Sequence, residues 1–289
     1  MKPGVNVDIS QGIATITFNR PKSLNAITNE DYNDFAEALW AIDKRSDVLV
    51  TVWQGERIFE AAVSPPELMK SRTATGRMFC AGTDVGAAGT KKEGEKTTMR
   101  ETFLTRVARA NTDPSKALAS HSKLLVAALN GPVFGIAAAF LGHFDFIYCV
   151  PEAYLSVPFT FLGIISEAGS SVTFARRMGV AKANEVLMFG KKMTAQELVD
   201  CGFVNKIFPS QAPESFHAAV RKHVHAELDS LEPTAVLGVK QLVKRAFQES
   251  NDPDAAIMRE SYAQAERISS GIPAQRFAAI ARKEIRHKL

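Results

Sequence analysis

Three short runs in this 289-residue chain carry groups whose type and spacing could do chemistry. The first is Phe79-Cys80-Ala81-Gly82-Thr83-Asp84, an apolar run that ends in a Gly turn. A backbone N–H just after such a turn can point at a ligand oxygen, because Gly permits the dihedrals and the close approach. A plain strand-end turn explains the same spacing more simply. The second run is Asn130-Gly131-Pro132-Val133-Phe134-Gly135-Ile136-Ala137-Ala138-Ala139. Here a turn feeds a helix, and first-turn amides are unpaired and carry positive potential. An oxyanion at Ile136 N–H would gain from both, although small residues also serve tight helix packing. The third is Glu167, the one acid between Glu152 and Glu185. A carboxylate after the apolar loop Phe161–Ile165 can be partly desolvated, which raises its pKa toward the range of a general base. The alternative is a Glu in the first turn of a helix from about Glu167 to Met178, capped by Ser166.

Other catalytic signatures are absent. There is no Gly-x-Gly-x-x-Gly, no phosphate-binding Gly-x-x-x-x-Gly-Lys loop and no Gly-x-Ser-x-Gly elbow. His143 and Asp145 sit at a helix-to-strand junction, where local hydrogen bonding explains them better than a catalytic pair. Cys80, Cys149 and Cys201 are odd in number and widely spaced, so neither a zinc site nor a disulfide framework is expected. A reducing, intracellular compartment fits them.

The elements that must hold these runs follow from periodicity. Residues 12–18 alternate and are rich in β-formers, residues 29–44 place Tyr32, Phe35, Ala36, Leu39 and Ile42 at helical spacing, and 47–54 reads as a second strand. Strand, helix, strand in that order predicts a parallel crossover. Residues 56–75 are irregular around Pro65-Pro66 and read as a surface insertion, and Lys91–Lys96 as a charged loop. Leu124–Phe144 has no formally charged residue and is long enough to span a bilayer. Asn130-Gly131-Pro132 breaks it, so buried strand, turn and buried helix is the expectation. After about Gln211 the pattern is helical, interrupted at Pro233, Pro253 and Pro273. The fold class is therefore α/β, with a core over 1–210 and a helical region over 211–289.

Composition agrees with a sizeable core: the chain is 46% hydrophobic and 23% charged. Its net charge of +4 is too small to argue for nucleic acid, but residues 267–289 alone carry +5. The start of the chain lacks the apolar stretch and cleavage site of a secretory signal. The last three residues, His287-Lys288-Leu289, approach the peroxisomal import tripeptide, which typically begins with Ser.

Taken together, the chain resembles the crotonase, or enoyl-CoA hydratase/isomerase, superfamily. The carriers are Asn19-Arg20-Pro21 with Leu24-Asn25-Ala26, then Phe79–Val85, then Ala128-Leu129-Asn130-Gly131-Pro132 with Gly135, then Pro158-Phe159-x-x-Leu162-Gly163. The resemblance implies a spiral of ββα units and C-terminal helices that form a homotrimer, or a dimer of trimers, and cover an acyl-CoA site. It implies an oxyanion hole built from the N–H groups of Thr83 and Ile136. Ala26, Ala81, Gly82, Thr83, Asp84, Val85, Gly135, Phe159 and Leu162 would line the substrate site.

Hydratases of this family use two Glu, and the matching positions here are Ala139 and Phe159, which cannot move a proton. Glu167 instead matches the single catalytic Glu of peroxisomal 3,2-enoyl-CoA isomerases. The implied activity is a double-bond shift in a 3-enoyl-CoA during fatty acid β-oxidation. No metal or other cofactor is expected, CoA being part of the substrate, and the import receptor would be a further partner. Arg276, Arg282 and Lys283 are candidates for the CoA phosphates. A peroxisomal site is expected, with a cytoplasmic one as the alternative. Two other readings stay open: another acyl-CoA enzyme of this scaffold, such as a hydratase or an enzyme of secondary metabolism, and a non-catalytic acyl-CoA-binding subunit.

Overall fold

The structure is a computed structural model that describes residues 4–56, 78–84, 98–250 and 252–286. Most of the expected insertion at 56–75, the Lys91–Lys96 loop, Val85 and His287–Leu289 lie outside the described residues.

The chain begins with a hairpin that the periodicity reading had only half found. β1 (Val5–Ser10) pairs antiparallel with β2 (Ile13–Phe18), from Val5 opposite Phe18 to Ser10 opposite Ile13. Gln11 and Gly12 make the two-residue turn at φ 51° and 75°, the left-handed geometry that matches strand twist. α1 (Asn29–Asp43) follows, started by a capping box between Thr28 and Asp31. Its buried face is Tyr32, Phe35, Ala36, Leu39 and Ile42, the residues the spacing picks out. β3 (Val50–Gly55) then pairs parallel with β2, which completes the expected crossover.

Met99–Ser120 is helical throughout, with α2 (Met99–Thr102), a π-helical stretch Phe103–Thr112 and α3 (Asp113–Ser120). The uncharged stretch that followed resolves as the sequence suggests. It forms β4 (Leu124–Leu129), every residue buried, then β5 (Val133–Phe134) and α4 (Gly135–Phe140). Next come β6 (Phe146–Cys149), β7 (Tyr154–Ser156), α5 (Ser170–Met178), α6 (Val180–Phe189), β8 (Met193–Thr194), α7 (Ala195–Asp200) and β9 (Lys206–Ile207). Among the described residues no helix is long and apolar enough to cross a membrane.

One sheet has the order β1-β2-β3-β4-β6-β9, and a smaller one the order β5-β7-β8. From β2 to β9 every pairing in the large sheet is parallel. The chain therefore lays one strand in the large sheet, the next in the small sheet and then a helix, and repeats: β4, β5, α4, then β6, β7, α5. This is the ββα spiral that the resemblance implies. Trp53 of β3 sits at its centre, with Phe79 edge-on at 4.7 Å, Phe18 at 5.1 Å, Phe35 at 5.2 Å and Phe144 at 5.6 Å. These rings anchor Phe79, the first residue of the first chemical run.

Four helices close the chain: α8 (Pro213–Leu228), α9 (Pro233–Ser250), α10 (Pro253–Ser269) and α11 (Ile272–Ala281). Pro occupies the first or second position of each, where its missing N–H costs nothing. α10 buries Glu260, Ser261 and Gln264 alongside Ala256, Ile257 and Ala265. Buried polar groups need partners: those of Glu260 and Gln264 lie on and just after the loop that carries Glu167, and those of Ser261 at the end of the π-helical stretch.

Candidate active site

The first two runs lie side by side. Phe79 N–H donates to Pro132 O at 2.9 Å, and Phe134 N–H donates to Cys80 O at 3.0 Å. Gly82 and Gly135 face each other across this seam at φ 85° and 56°. A Cβ on Gly82 would stand 3.0 Å from Phe134 O and 3.6 Å from Gly135 Cα. Gly82 is thus required for its dihedral and for the approach, and Gly135 for its dihedral, a Cβ there meeting only Gly82 Cα at 3.9 Å.

Thr83 has its N–H turned away from Ile27 for a simple reason. It bridges Ile27 in parallel, with Ile27 N–H donating to Gly82 O at 2.8 Å and Asp84 N–H donating to Ile27 O at 2.9 Å. That pattern uses the polar groups of its neighbours and leaves its own pointing away from Ile27. Among the described residues Thr83 N–H makes no hydrogen bond. Ile136, second residue of α4, has no residue four back within its helix to accept its N–H. The structure therefore places two N–H donors on adjoining segments, with Ala81, Gly82 and Asp84 flanking one and Gly135 the other.

Asn25 explains why the Leu24-Asn25-Ala26 motif belongs to this site. Leu24 and Asn25 are both left-handed, at φ 55° and 54°. Asn25 Oδ1 accepts from Arg20 N at 3.0 Å, and its Nδ2 donates to Glu56 O at 3.1 Å and Phe79 O at 3.2 Å. Ala81 N–H donates to Leu24 O at 3.1 Å. One buried amide thus ties the end of β3 to the Phe79 segment, and Ala26 is held beside it.

Glu167 does not start a helix. α5 begins at Ser170, and Ala168 and Gly169 are left-handed at φ 58° and 70°, which a helix cannot accommodate. Ser166 is therefore no helix cap. The turn is held from outside. Ala168 N–H donates to Asn111 Oδ1 at 2.8 Å, Gly169 N–H to Glu260 Oε2 at 2.5 Å and Ser171 N–H to Glu260 Oε1 at 3.0 Å. Glu260 thus serves as the N-terminal cap of α5 from another helix. Burial keeps the His143 imidazole neutral, with its pKa down to about 4, so Nε2–H donates to Ala168 O at 2.7 Å. Asp145 accepts from Leu125 N–H and Lys240 Nζ, both at 2.7 Å. His143 and Asp145 are local hydrogen-bonding residues, as expected.

The Glu167 carboxyl itself accepts from Gln264 Nε2 at 2.7 Å. Burial pushes its pKa up to about 7, against the lowering by Gln264 and with the help of the nearby Glu260 charge. Tyr32 links it to the oxyanion side. The Tyr32 hydroxyl is 2.7 Å from Thr83 Oγ1. Burial raises its pKa well above the usual phenol value, and the Glu167 charge adds to that rise. Tyr32 thus touches Thr83 directly and lies within reach of the Glu167 charge. Phe159 is buried beneath the preceding turn, Ile164 N–H donating to its carbonyl at 2.9 Å, and Leu162 is half-buried above it.

Sequence reasoning named Glu167, Thr83 and Ile136 but not Tyr32, Asn111, Glu260 or Gln264. Tyr32 had been noted only as a core position. Among the C-terminal cations, Arg276 Nε donates to Phe161 O at 2.8 Å with its guanidinium 5.2 Å from the Phe161 ring centre. Arg282 is engaged by Glu284 at 2.6 Å and 3.0 Å.

Residues 72–274 match the enoyl-CoA hydratase/isomerase family. The chain belongs to that family. Its curated relatives include the Delta(3,5)-Delta(2,4)-dienoyl-CoA isomerase of Pyricularia oryzae, 32% identical over 289 residues, with 96% of each chain covered. The 3,2-trans-enoyl-CoA isomerase of Saccharomyces cerevisiae is 30% identical, over 93% of this chain and 91% of that one. The fold is that of a solved enoyl-CoA hydratase/isomerase from Pseudoalteromonas atlantica, at a TM-score of 0.79 and 24% identity, over 99% of this chain and 100% of that one.

Within this enoyl-CoA hydratase/isomerase family member, Ala139 is wholly buried in α4 and Phe159 lies in the core. Neither position offers a carboxylate to activate water.

Proposed function

We propose that the protein is a 3,2-enoyl-CoA isomerase, which moves the double bond of a 3-enoyl-CoA to the trans-2 position. The observation that carries this reading is the setting of Glu167: one carboxyl, held by Gln264 and desolvated to a pKa of about 7, whose charge acts on the Tyr32 hydroxyl that touches Thr83. A base poised near neutral pH both takes and returns a proton efficiently. Glu167 removes a proton from C2. The electron pair spreads over a dienolate whose negative charge rests on the thioester oxygen, between the N–H groups of Thr83 and Ile136. Each such donor is worth roughly 3–4 kcal/mol in comparable sites. Glu167, now protonated, delivers that proton to C4, and the double bond is left between C2 and C3. The count of protons is unchanged and no water is consumed. The apolar residues Phe159, Leu162 and Ile165 help to exclude it. The site groups Ala26, Ala81, Gly82, Asp84 and Gly135 line the acyl-CoA channel in this reading, and Arg267 and Arg276 are C-terminal cations held on the loop before Glu167.

A second reading, a dienoyl-CoA isomerase, is favoured by the Pyricularia oryzae relative. That reaction moves a proton over a longer conjugated chain, for which a second acid is useful. Glu260, the nearest other carboxylate acting on Glu167, is committed to two backbone amides, which supports the shorter shift. Assays with 3-hexenoyl-CoA and a 3,5-dienoyl-CoA, on wild type and Glu167→Gln, separate the two. Turnover of the dienoyl substrate alone would overturn the 3,2 assignment.

We also propose that the family's trimer forms here through the C-terminal helices, and that His287-Lys288-Leu289 directs peroxisomal import to serve fatty acid β-oxidation. Deleting those three residues should abolish import and leave turnover intact.

A further inference from the structure

Gln264 is 1% exposed and projects from α10 into the turn that holds Glu167. Its two ends are chemically distinguishable without ambiguity. Ile165 N–H can only donate, and it points at Gln264 from 3.2 Å, so the atom it meets is Oε1. The amide nitrogen is therefore forced toward Glu167, where it donates to Oε1 of the carboxyl at 2.7 Å. The helix that carries Gln264 cannot rotate to release it. Four residues earlier Glu260 holds Gly169 and Ser171 N–H, and Ser261 accepts from Thr112 Oγ1 at 2.9 Å and Asn111 Nδ2 at 3.3 Å.

We infer that Gln264 is a positioning residue for the reaction: it fixes the plane of the Glu167 carboxyl and reserves Oε2 as the oxygen that carries the proton between C2 and C4. The inference rests on the isomerase reading and names the part of the site that makes it work. A proton on Oε1 would leave Gln264 Nε2–H facing a hydroxyl oxygen, a weaker acceptor than a carboxylate or carbonyl oxygen. A proton on Oε2 keeps that bond. Oε2 is thus the basic atom in one step and the acidic atom in the next, with no rotation of the carboxyl between them. A fixed oxygen also confines both transfers to one face of the acyl chain.

Other groups around the carboxyl do not take this role. Glu260, on the same helix, is engaged with the backbone of the turn; Tyr32 of α1 meets Thr83; His143, just after α4, donates to Ala168 O. Gln264 alone touches the carboxyl among the described hydrogen bonds.

The test compares wild type with Gln264→Met, which keeps length and removes the amide, and with Met258→Ala, an exposed position, as a control on the same helix. Gln264 stabilises the charged carboxylate, so its loss moves the Glu167 midpoint upward. The acid limb of kcat/KM for 3-hexenoyl-CoA should rise by about one pH unit in Gln264→Met, and kcat should fall about tenfold with KM nearly constant. Met258→Ala should leave the limb in place. An unmoved limb in Gln264→Met would overturn the inference. A readout free of turnover keeps it separate from the proposed activity. The ¹⁵N resonance of the Gln264 side-chain amide in the unliganded wild-type protein should titrate near pH 7, and that titration should vanish in Glu167→Gln. A Gln264 amide that is silent across that range would defeat the inference even if the enzyme isomerises as proposed, or if Gln264→Met fails to fold. A titrating amide in a protein inactive on 3-enoyl-CoA would keep the contact and remove the reaction.

Discussion

Glu167 is the residue on which chemistry and stability pull in opposite directions. Its folded pKa of about 7 lies above its ordinary value of 4.5, so the native state binds the proton more tightly than the unfolded chain does. The contribution of this one group to stability is then fully present below pH 4.5 and is lost as pH rises through 7, where the charged form is buried. Glu167→Gln should therefore be more stable than wild type at pH 8, by about 1–3 kcal/mol, and nearly equal at pH 4.5. Denaturant unfolding at the two pH values measures this. Equal stabilities at pH 8 would mean that the carboxyl is well solvated. The base form must be present to react, so kcat/KM should climb through pH 7 as this contribution to stability declines. Glu167 itself was legible because it stands alone in a long acid-free stretch. Its partners were not, because Gln264 and Glu260 lie more than ninety positions away and polar contacts across such separations leave no periodic trace.

At the scale of elements, the site depends on two seams. One joins the Phe79–Asp84 segment to the start of α4, and Gly82 sets its width. Gly82→Ala places a methyl group 3.0 Å from Phe134 O at a φ of 85°. The two segments must separate or the turn must change its dihedrals. We expect at least a hundredfold loss of kcat, as from removal of an oxyanion donor, with a stability loss of only about 1–2 kcal/mol. Steady-state kinetics beside thermal unfolding checks it. A large loss of stability with kcat preserved would contradict the assignment of the seam. The other seam joins α10 to the Glu167 turn. Glu260→Ala leaves Gly169 and Ser171 N–H without partners and should cost about 1–3 kcal/mol, seen as a lower unfolding midpoint. Elements with one apolar face were readable from spacing, α1 and β4 above all. β1 was harder to read although Val5, Val7 and Ile9 alternate, since it is an edge strand of which only Val5 is buried. The start of α5 was misplaced because Ala168 is left-handed, a conformation that its residue type gives no reason to expect.

For the whole molecule, the α9 helix is the least accounted-for surface. Leu242 is 68% exposed, Val239 60% and Val243 51%. A cavity of about 1020 Å³ lies between this helix and the large sheet, lined by His121, Asp145, Lys240 and Phe247 among others. None of the proposed site residues lines it. Apolar exposure of this extent marks an interaction surface, and the proposed trimer would cover it. Leu242→Asp should therefore lower the oligomeric state in sedimentation equilibrium, whereas a wild type that sediments as a monomer would contradict the trimer. The surplus positive charge of the last residues divides in the structure: Arg282 is neutralised by Glu284, and Arg276 leans on Phe161 beside the Glu167 turn. Sequence alone showed where that charge was, and only the packing of α10 and α11 shows that Arg267 and Arg276 hold carbonyls of the loop before Glu167.

The central claim is that Glu167 alone moves the proton. The direct measurement is conversion of 3-hexenoyl-CoA to the trans-2 isomer by wild type and Glu167→Gln, with folding of the variant verified by circular dichroism. Turnover by wild type and a loss of at least a thousandfold in kcat for the variant, the order found when a group essential to proton transfer is removed, is the predicted result. Turnover by Glu167→Gln within a few-fold of wild type would contradict it.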